Sequence, residues 1–276
     1  MGGVTEYQDT RVRIDTTRPH TARIWNYWLG GKDNYPVDRE AGDRIRAIHP
    51  GIGEYALADR LFLGRSVRHL VTTAGIRQFL DIGTGLPSGD NTHEVAQRAA
   101  PDSRIVYVDN DPLVLTHARA LLKSTREGRT DYLDADLRDT DLILERAAKT
   151  LDLSRPVALM LLGVVIFVED DEETYDLVRR LMSALAPGSH LVLSHTITSA
   201  SMPEVDAAVA FWNEHGTPRL TQRTPAQVER YFDGLELLDP GVVSCSRWRP
   251  RPKGPENTEG TEAGEVAMYA GVGRKV

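Results

Sequence analysis

The 276-residue chain contains a single cysteine, Cys245, and aromatic residues make up only 7% of it. A lone cysteine excludes an internal disulfide and a cysteine-rich zinc site, and no metal site is predicted. No run of lysine and arginine exceeds two residues, and the net charge is −7. We therefore expect neither nucleic acid nor an anionic membrane surface as a partner.

Long hydrophobic segments are also missing. The longest apolar run, residues 157–168, is too short to span a bilayer and indicates a buried strand and the residues after it. The initial segment MGGVTEYQDTRVR lacks the apolar region of a secretory signal peptide. Together with the single cysteine, these absences lead us to expect a cytoplasmic protein.

The pattern of apolar residues predicts an α/β domain preceded by a helical extension. Residues 1–17 are polar and lack periodicity, which predicts a loose tail. Helical spacing continues from 18 to 74, and strands alternate with helices from 75 to 276. The predicted strands lie near 78–82, 104–109, 130–134, 157–162, 190–195, 235–243 and 266–272. Repeated strand–helix units of this kind predict a doubly wound, mostly parallel sheet of seven strands.

The most informative segment is QFLDIGTGLPSGDN, which begins at residue 78. An apolar strand containing Asp81 runs into a turn in which Gly83 and Gly85 let the backbone approach a ligand closely. The next apolar strand ends about two dozen residues later in Asp109, where nucleotide-binding folds of this type hold ribose hydroxyls. These features predict an adenosine-containing ligand at the carboxyl ends of two adjacent strands.

The glycine spacing and the charge beside it narrow the choice of ligand. A dinucleotide site requires G-x-G-x-x-G with the pyrophosphate at a helix N-terminus, but Gly89 comes one position late and Pro87 interrupts the turn. The carboxylate of Asp81 would repel pyrophosphate, whereas it suits a ligand with an ammonium and a sulfonium group. A nicotinamide-dependent oxidoreductase is therefore the less favoured alternative.

D-x-G-x-G with an acidic residue closing the next strand resembles the pattern of S-adenosylmethionine-dependent methyltransferases with the Rossmann-like fold. Four segments closely resemble one family of these enzymes, long listed as a domain of unknown function: RPHTARIWNYWLGGKDNYPVDRE, IRQFLDIGTGLPSGDNTHEVAQ, RIVYVDNDPLVLTHARALL and YAGVGRK. The resemblance implies a sheet whose last strand is antiparallel, S-adenosylmethionine as cofactor, and methyl transfer to an unidentified acceptor. A protein of the same fold that only binds or senses the cofactor is the alternative.

The resemblance also implies contacts around the methionine part of the cofactor. Gly83, Thr84 and Gly85 would wrap this part, and Asp81 would lie near its amino group. Gly163, just after the fourth predicted strand, would lie against the methionine end.

Further contacts are implied for the nucleoside. Asp109 would bind the ribose hydroxyls, with Asn110 beside the adenine. Asp136 and the backbone N–H of Leu137 would bind the adenine edge. Asn91 is also a cofactor candidate, although both Asn91 and Asp109 can instead serve as caps of the helices that follow them.

The aromatic segment WNYWLGGKDNY predicts a lid over the site. In this interpretation Tyr27, Lys32, Asp33 and Tyr35 contact the cofactor or the acceptor. The alternative is an aromatic helix that packs on the sheet and ends at the glycine pair.

A general base is harder to identify from the sequence. The candidates are His195, at the end of the fifth predicted strand, and Glu169 and Asp170, after the fourth. A histidine at the end of a strand is as often structural. Neither Asn-Pro-Pro-Tyr, Asp-Pro-Pro-Tyr nor Pro-Cys follows the fourth strand, which disfavours methylation of DNA bases or of glutamine. A small-molecule acceptor is therefore favoured.

Overall fold

The computed structural model describes residues 15–121, 123–250 and 264–276, so that most of the predicted tail lies outside the described residues. The strands are β1 Gln78–Ile82, β2 Arg104–Asp109, β3 Arg129–Asp134, β4 Ala158–Leu162, β5 His190–Thr196, β6 Glu236–Leu237, β7 Val243–Ser244 and β8 Met268–Arg274. They form a single sheet in the order β3-β2-β1-β4-β5-β8-β6, and β7 pairs with β8. The first five strands are parallel, and β8 is antiparallel to β5, β6 and β7. The predicted doubly wound sheet with an antiparallel last strand is confirmed.

The region predicted as one sixth strand, 235–243, contains two short strands instead. Pro240 has no backbone N–H to donate, and Gly241 adopts a positive φ of 90°, so the strand cannot continue through them. The chain turns there, and β6 and β7 pair separately with β8. Because the turn divides the predicted sixth strand into β6 and β7, the sheet has eight strands instead of seven.

Nine α-helices lie within the described residues: α1 Thr21–Trp28, α2 Pro36–Ile48, α3 Ile52–Thr72, α4 Thr92–Ala99, α5 Pro112–Leu121, α6 Thr140–Ala147, α7 Asp171–Ser183, α8 Pro203–His215 and α9 Pro225–Glu229. The first three precede β1. The long helix α3 packs against α4, β4 and β8, while α2 contacts α1 and α8. None of the helices in the described part of the chain is both long and apolar enough to cross a membrane.

The sheet forms the core of the molecule. Every residue of β1 and of β5 is buried, as expected for parallel strands that are covered by helices on both faces. The strand order reverses between β1 and β4, since β2 pairs on one side of β1 and β4 on the other. Helices that follow these strands leave the sheet in opposite directions, and a crevice opens at the carboxyl ends.

A buried ion pair joins the first two helices. Arg23 Nε donates to Asp38 Oδ2 at 2.8 Å, and the two residues are 3% and 0% exposed. The same carboxylate accepts backbone N–H groups from His20 and Tyr35, each at 2.9 Å. These residues precede α1 and α2, so one side chain fixes the start of both helices.

We predict that Asp38→Ala lowers the free energy of unfolding by about 3–5 kcal/mol, because the Arg23 charge would stay buried without its partner. Urea denaturation measures the change. Glu40→Ala is the control on the same helix, since Glu40 is 74% exposed and lies 3.9 Å from Arg44; its effect should stay within about 0.5 kcal/mol. Equal effects of the two substitutions would contradict the structural role of the ion pair.

Candidate active site

A cavity of about 280 Å³ lies in the crevice at the carboxyl ends of the parallel strands. It is lined by all ten residues that the sequence assigns to a cofactor: Asp81, Gly83, Thr84, Gly85, Asn91, Asp109, Asn110, Asp136, Leu137 and Gly163. They come from the ends of β1, β2, β3 and β4 and from the loops that follow these strands. The parallel sheet therefore brings these separate segments to one place.

The glycine turn after β1 is held by the neighbouring strand. Gly83 has a φ of 76°, and a Cβ at this position would lie 2.4 Å from Val164 Cγ2, so the fold itself requires glycine here. Gly85 also has a positive φ, of 66°, but no atom lies within 4 Å of its would-be Cβ. Its backbone N–H donates to Asp109 Oδ2 at 2.9 Å, which ties the turn to the end of β2.

Asp81 carries a carboxylate that is only 4% exposed. Burial raises its pKa to about 6, while a hydrogen bond from Thr92 and the positive charge of Arg60 act in the opposite direction. The Thr92 hydroxyl donates to Asp81 Oδ2 at 2.6 Å. A cationic group beside Asp81 would lower the cost of its buried negative charge.

Asp109 is buried in the same way, and burial raises its pKa to about 6. Its two oxygens accept the backbone N–H groups of Gly85 and Asp111, each at 2.9 Å. Asp111 in turn accepts the N–H of Leu113 at 2.8 Å, so it is Asp111 that caps α5. Asp109 itself does not cap the helix, and its carboxylate lies in the cavity wall, where burial destabilises the ionised form.

Asn91 is both a helix cap and a cavity residue, which were the two alternatives that the sequence left open. It is the N-cap residue of α4, where its backbone N–H donates to Glu94 Oε2 at 2.8 Å. Its side-chain oxygen accepts from Ser88 N at 3.1 Å and from Arg60 Nη2 at 3.0 Å. Asn91 therefore lies at the start of α4 and also lines the cavity.

At the opposite end of the cavity, Asn110 and Asp136 are hydrogen-bonded to each other, with Nδ2 and Oδ2 3.0 Å apart. Asp136 Oδ1 accepts the backbone N–H of Arg138 at 2.9 Å. The pair joins the loops after β2 and β3 and presents polar atoms beside Leu137.

Two cavity residues of α3, Asp59 and Arg60, are missed by the sequence analysis. Arg60 donates through Nε and Nη2 to the carbonyl oxygen of Gly89, at 3.2 and 2.9 Å. Its Nη1 makes no hydrogen bond to the described residues, and burial lowers the pKa of the guanidinium. Burial also raises the pKa of Asp59. The sequence feature that could have indicated these two residues is the adjacent acid and base within the otherwise apolar stretch ALADRLFL.

The helix α1 forms part of the cavity wall. The cavity-lining residues in and around it follow helical spacing: His20, Thr21, Ala22, Trp25, Asn26 and Leu29. His20 Nδ1 lies 3.1 Å from Asp111 Oδ2, so the start of α1 also contacts the loop after β2. The aromatic segment thus contributes Trp25, Asn26 and Leu29 to the wall.

The structure does not place the four predicted lid side chains in that wall. Tyr27 lies on another face of α1, and its hydroxyl donates to Asp43 at 2.7 Å. Lys32 is exposed. Asp33 Oδ2 lies 3.9 Å from His117 Nδ1, and Tyr35 packs against the small apolar cluster that contains Leu86 and Val114. The sequence indicated that the aromatic segment lies at the site. The rotation of α1 about its axis decides which side chains of the segment face the cavity.

His195 is not brought to the cavity either. Side chains alternate along β5, and the ring of His195 faces away from Thr196, which points towards Tyr55. Its Nε2 lies 2.9 Å from Arg223 Nη1, and burial together with the charge of Arg223 lowers its pKa to about 3. The prediction of His195 as a general base is corrected, since the side chain is sealed within the opposite face of the sheet.

A second, apolar pocket of about 80 Å³ adjoins the first cavity. The two share Thr21, Trp25, Gly163 and Phe167. The remaining lining residues come mainly from α1, α2, α3 and α8: Ile24, Trp28, Ile45, His49, Ile52, Tyr55, Ile166, Thr196, Val205, Ala208, Val209, Trp212, Leu220 and Met268. A polar cavity and an apolar pocket therefore meet at the end of β4.

Comparison with protein families identifies the chain. A model described as S-adenosyl methyltransferase matches residues 7–276. The chain belongs to this S-adenosyl methyltransferase family. Its cofactor is S-adenosylmethionine, and its activity is S-adenosylmethionine-dependent methyl transfer.

Two solved structures are similar to this protein over nearly the whole chain. A DUF574 family protein from Streptomyces avermitilis MA-4680 is 44% identical, with a TM-score of 0.89 over 96% of this chain and 100% of that one. A candidate methyltransferase from Thermobifida fusca YX is 40% identical, with a TM-score of 0.83 over 95% of this chain and 96% of that one. Among curated proteins, none matches the chain.

The cavity fits the cofactor of this family chemically. S-adenosylmethionine carries two positive groups, an ammonium and a sulfonium, together with a carboxylate and a ribose diol. The cavity offers the buried carboxylates of Asp81 and Asp109, the partly buried carboxylate of Asp59 and the partly buried guanidinium of Arg60. The wall thus has negative groups for the cationic part of the ligand and a positive group for its carboxylate.

We predict that Asp81→Asn stabilises the protein without ligand. The pKa of Asp81 is raised from 3.8 to about 6, so the ionised carboxylate opposes folding above pH 6, and this cost vanishes below about pH 4. The free energy of unfolding should rise by on the order of 2 kcal/mol at pH 7 and be unchanged at pH 4, since one pKa unit corresponds to about 1.4 kcal/mol.

Chemical denaturation at the two pH values tests this expectation. Asp134→Asn is the control, because Asp134 also ends a strand at this edge of the sheet but is exposed. No gain for Asp81→Asn at pH 7 would show that the buried carboxylate is already compensated in the protein without ligand.

Proposed function

We propose that this protein transfers the methyl group of S-adenosylmethionine to a small-molecule acceptor held in the apolar pocket. The observation that carries the proposal is the junction at Gly163, which lines both the polar cavity and the apolar pocket. A cofactor in the first and an acceptor in the second would meet there. A protein that only sensed the cofactor would have no need of the second pocket.

We assign the ends of the cofactor by charge. Asp81 binds the ammonium group, and Arg60 binds the carboxylate through its free Nη1 donors. Asp109 binds the ribose hydroxyls beside the turn that Gly83, Thr84 and Gly85 form. This assignment pairs Asp81, Asp109 and Arg60 each with an opposite charge or a hydrogen-bond donor, as buried ions require.

The adenine lies in this assignment at the polar end formed by Asn110, Asp136 and Leu137. The hydrogen bond between Asn110 and Asp136 holds their side chains in place for the base edge. Gly163 faces the methionine end, where its positive φ of 61° leaves the backbone free of a side chain.

Bound S-adenosylmethionine supplies an electrophilic methyl group on a sulfonium. The chain then mainly has to orient the acceptor and exclude water. Trp25 lines both pockets, and α1 forms part of the cavity wall, so this helix can do both. We also propose a cytoplasmic location, which the single, buried Cys245 supports.

We predict that Asp109→Ala weakens the binding of S-adenosylhomocysteine by roughly 10- to 100-fold, because charge-assisted hydrogen bonds to the ribose are lost. Isothermal titration calorimetry measures the affinity, and circular dichroism checks the fold. Asp134→Ala is the matched control, since Asp134 is the register partner of Asp109 on β3 but lies outside the cavity lining. Unchanged affinity in the Asp109 variant would remove this residue from the site.

The assignment of Arg60 has a separate test that uses two ligands. Arg60→Gln should weaken S-adenosylhomocysteine by roughly 10- to 100-fold, because a hydrogen-bonded charge on the carboxylate is lost. Binding of 5′-methylthioadenosine, which has no amino-acid end, should be unchanged, whereas Asp109→Ala weakens both ligands. Arg44→Gln, at an exposed position of α2, is the control. Equal losses for both ligands in Arg60→Gln would place Arg60 elsewhere.

A further inference from the structure

The apolar pocket contains one basic group that nothing in the structure uses. His49 lies at the end of α2 and lines this pocket. Its Nε2 is buried and has no hydrogen-bond partner among the described residues. Buried polar atoms are nearly always hydrogen-bonded, so an unpaired nitrogen in a pocket wall indicates a ligand group that donates to it.

The surroundings of His49 keep it neutral. Burial lowers its pKa, and this effect exceeds the opposing influence of Glu204 on α8 and Glu54 on α3. The Tyr55 ring is the aromatic neighbour, with the ring centroids 6.2 Å apart and nearly perpendicular. A neutral imidazole has one nitrogen free to accept a proton. His49 is therefore in the state that a general base requires.

Two further hydroxyl groups of the pocket, those of Tyr55 and Thr196, are already engaged. The Tyr55 hydroxyl is 2.6 Å from Thr196 Oγ1 and 3.8 Å from Met268 Sδ. Burial raises the pKa of Tyr55 far above its ordinary value, so this hydroxyl keeps its proton. Neither Tyr55 nor Thr196 competes with His49 for the role of base.

The lining also limits the chemistry of the occupant. None of its residues is an aspartate, glutamate, lysine or arginine, so no such side chain of the lining would compensate a charged occupant. The pocket, of about 80 Å³, is roughly half of an engineered cavity of about 150 Å³ that takes up benzene. The occupant is thus one uncharged ring, part of which can extend into the neighbouring cavity at Gly163.

We propose that the methyl acceptor is an uncharged single-ring phenol and that His49 is its general base. The inference rests on the proposed methyl transfer. The phenol oxygen forms a bond to the methyl carbon as the carbon–sulfur bond breaks, and the sulfur keeps that electron pair. The hydroxyl proton passes to His49 Nε2 and afterwards to solvent, because the His49 side chain is only half-buried. The products are a methyl ether and S-adenosylhomocysteine.

The first test measures the binding of phenol to the complex with S-adenosylhomocysteine. Calorimetry gives the affinity, and NMR records the ring signals of the histidines. Phenol should bind and shift the ring signals of His49, while those of His215, exposed on α8, stay in place. Failure of S-adenosylhomocysteine itself to bind would overturn the proposed function. Binding of S-adenosylhomocysteine without binding of phenol would overturn only the present inference.

Two substitutions at position 49 separate binding from proton transfer. His49→Gln keeps a hydrogen-bond acceptor but is not basic, so phenol affinity should stay within about threefold while methylation of phenol falls by about 100-fold or more. The pH profile of any residual activity should lose the ionisation seen in the native protein. His49→Phe should lose both binding and turnover, and His215→Gln should lose neither. A native rate in His49→Gln would overturn the role of His49.

A matched pair on α8 tests the location. Ala208 is buried and lines the pocket, whereas Ala207 is its exposed neighbour. Ala208→Leu should abolish phenol binding and leave S-adenosylhomocysteine affinity within about threefold, because the added side chain occupies the pocket. Ala207→Leu should affect neither ligand. Normal phenol binding in Ala208→Leu would place the acceptor outside this pocket.

Discussion

The site depends on two carboxylates that the fold buries side by side. Parallel pairing of β1 and β2 brings Asp81 and Asp109 to the same edge of the sheet, where burial raises the pKa of each to about 6. The protein offsets part of the cost with the Thr92 hydroxyl, with backbone N–H groups at Asp109 and with the charge of Arg60. In the proposed assignment, an ammonium group beside Asp81 and ribose hydroxyls beside Asp109 would offset the remainder, so the same energy that destabilises the ligand-free protein would favour the cofactor.

The helical extension supplies what the sheet lacks. The strand ends provide carboxylates, glycines and backbone groups, but the guanidinium of Arg60 comes from α3 and a further part of the cavity wall from α1. The apolar pocket is likewise built mainly from α1, α2, α3 and α8. In the proposed function, strand ends of the common nucleotide-binding type bind the cofactor, whereas the helices packed above them select the acceptor. This division follows from geometry, because only elements outside the sheet can face its carboxyl edge from above.

The sequence predicts the parts of the site that lie on the sheet and fails for the parts that depend on helix orientation. Asp81 and Asp109 follow apolar strands at a fixed spacing, and parallel strands place their ends together whatever the surroundings. Tyr27, in contrast, was expected in the wall, yet Trp25 and Asn26 are there. A rotation of about 100° per residue separates these outcomes, and the aromatic composition of the segment does not determine it. His195 was misplaced for a similar reason, since the two faces of β5 are both buried and its apolar pattern cannot distinguish them.

The ion pair of Arg23 and Asp38 links the two halves of the site through α1. Asp38 fixes the starts of α1 and α2, and these helices carry Trp25 and His49 respectively. Trp25 lines both the cavity and the pocket, so a shift of α1 changes both at once. The charge pair lines neither the cavity nor the pocket, but it holds together the helices that line them. In the proposed methyl transfer the reacting atoms must lie nearly in line, and a buried junction between the two helices would hold that alignment more reliably than a flexible loop would.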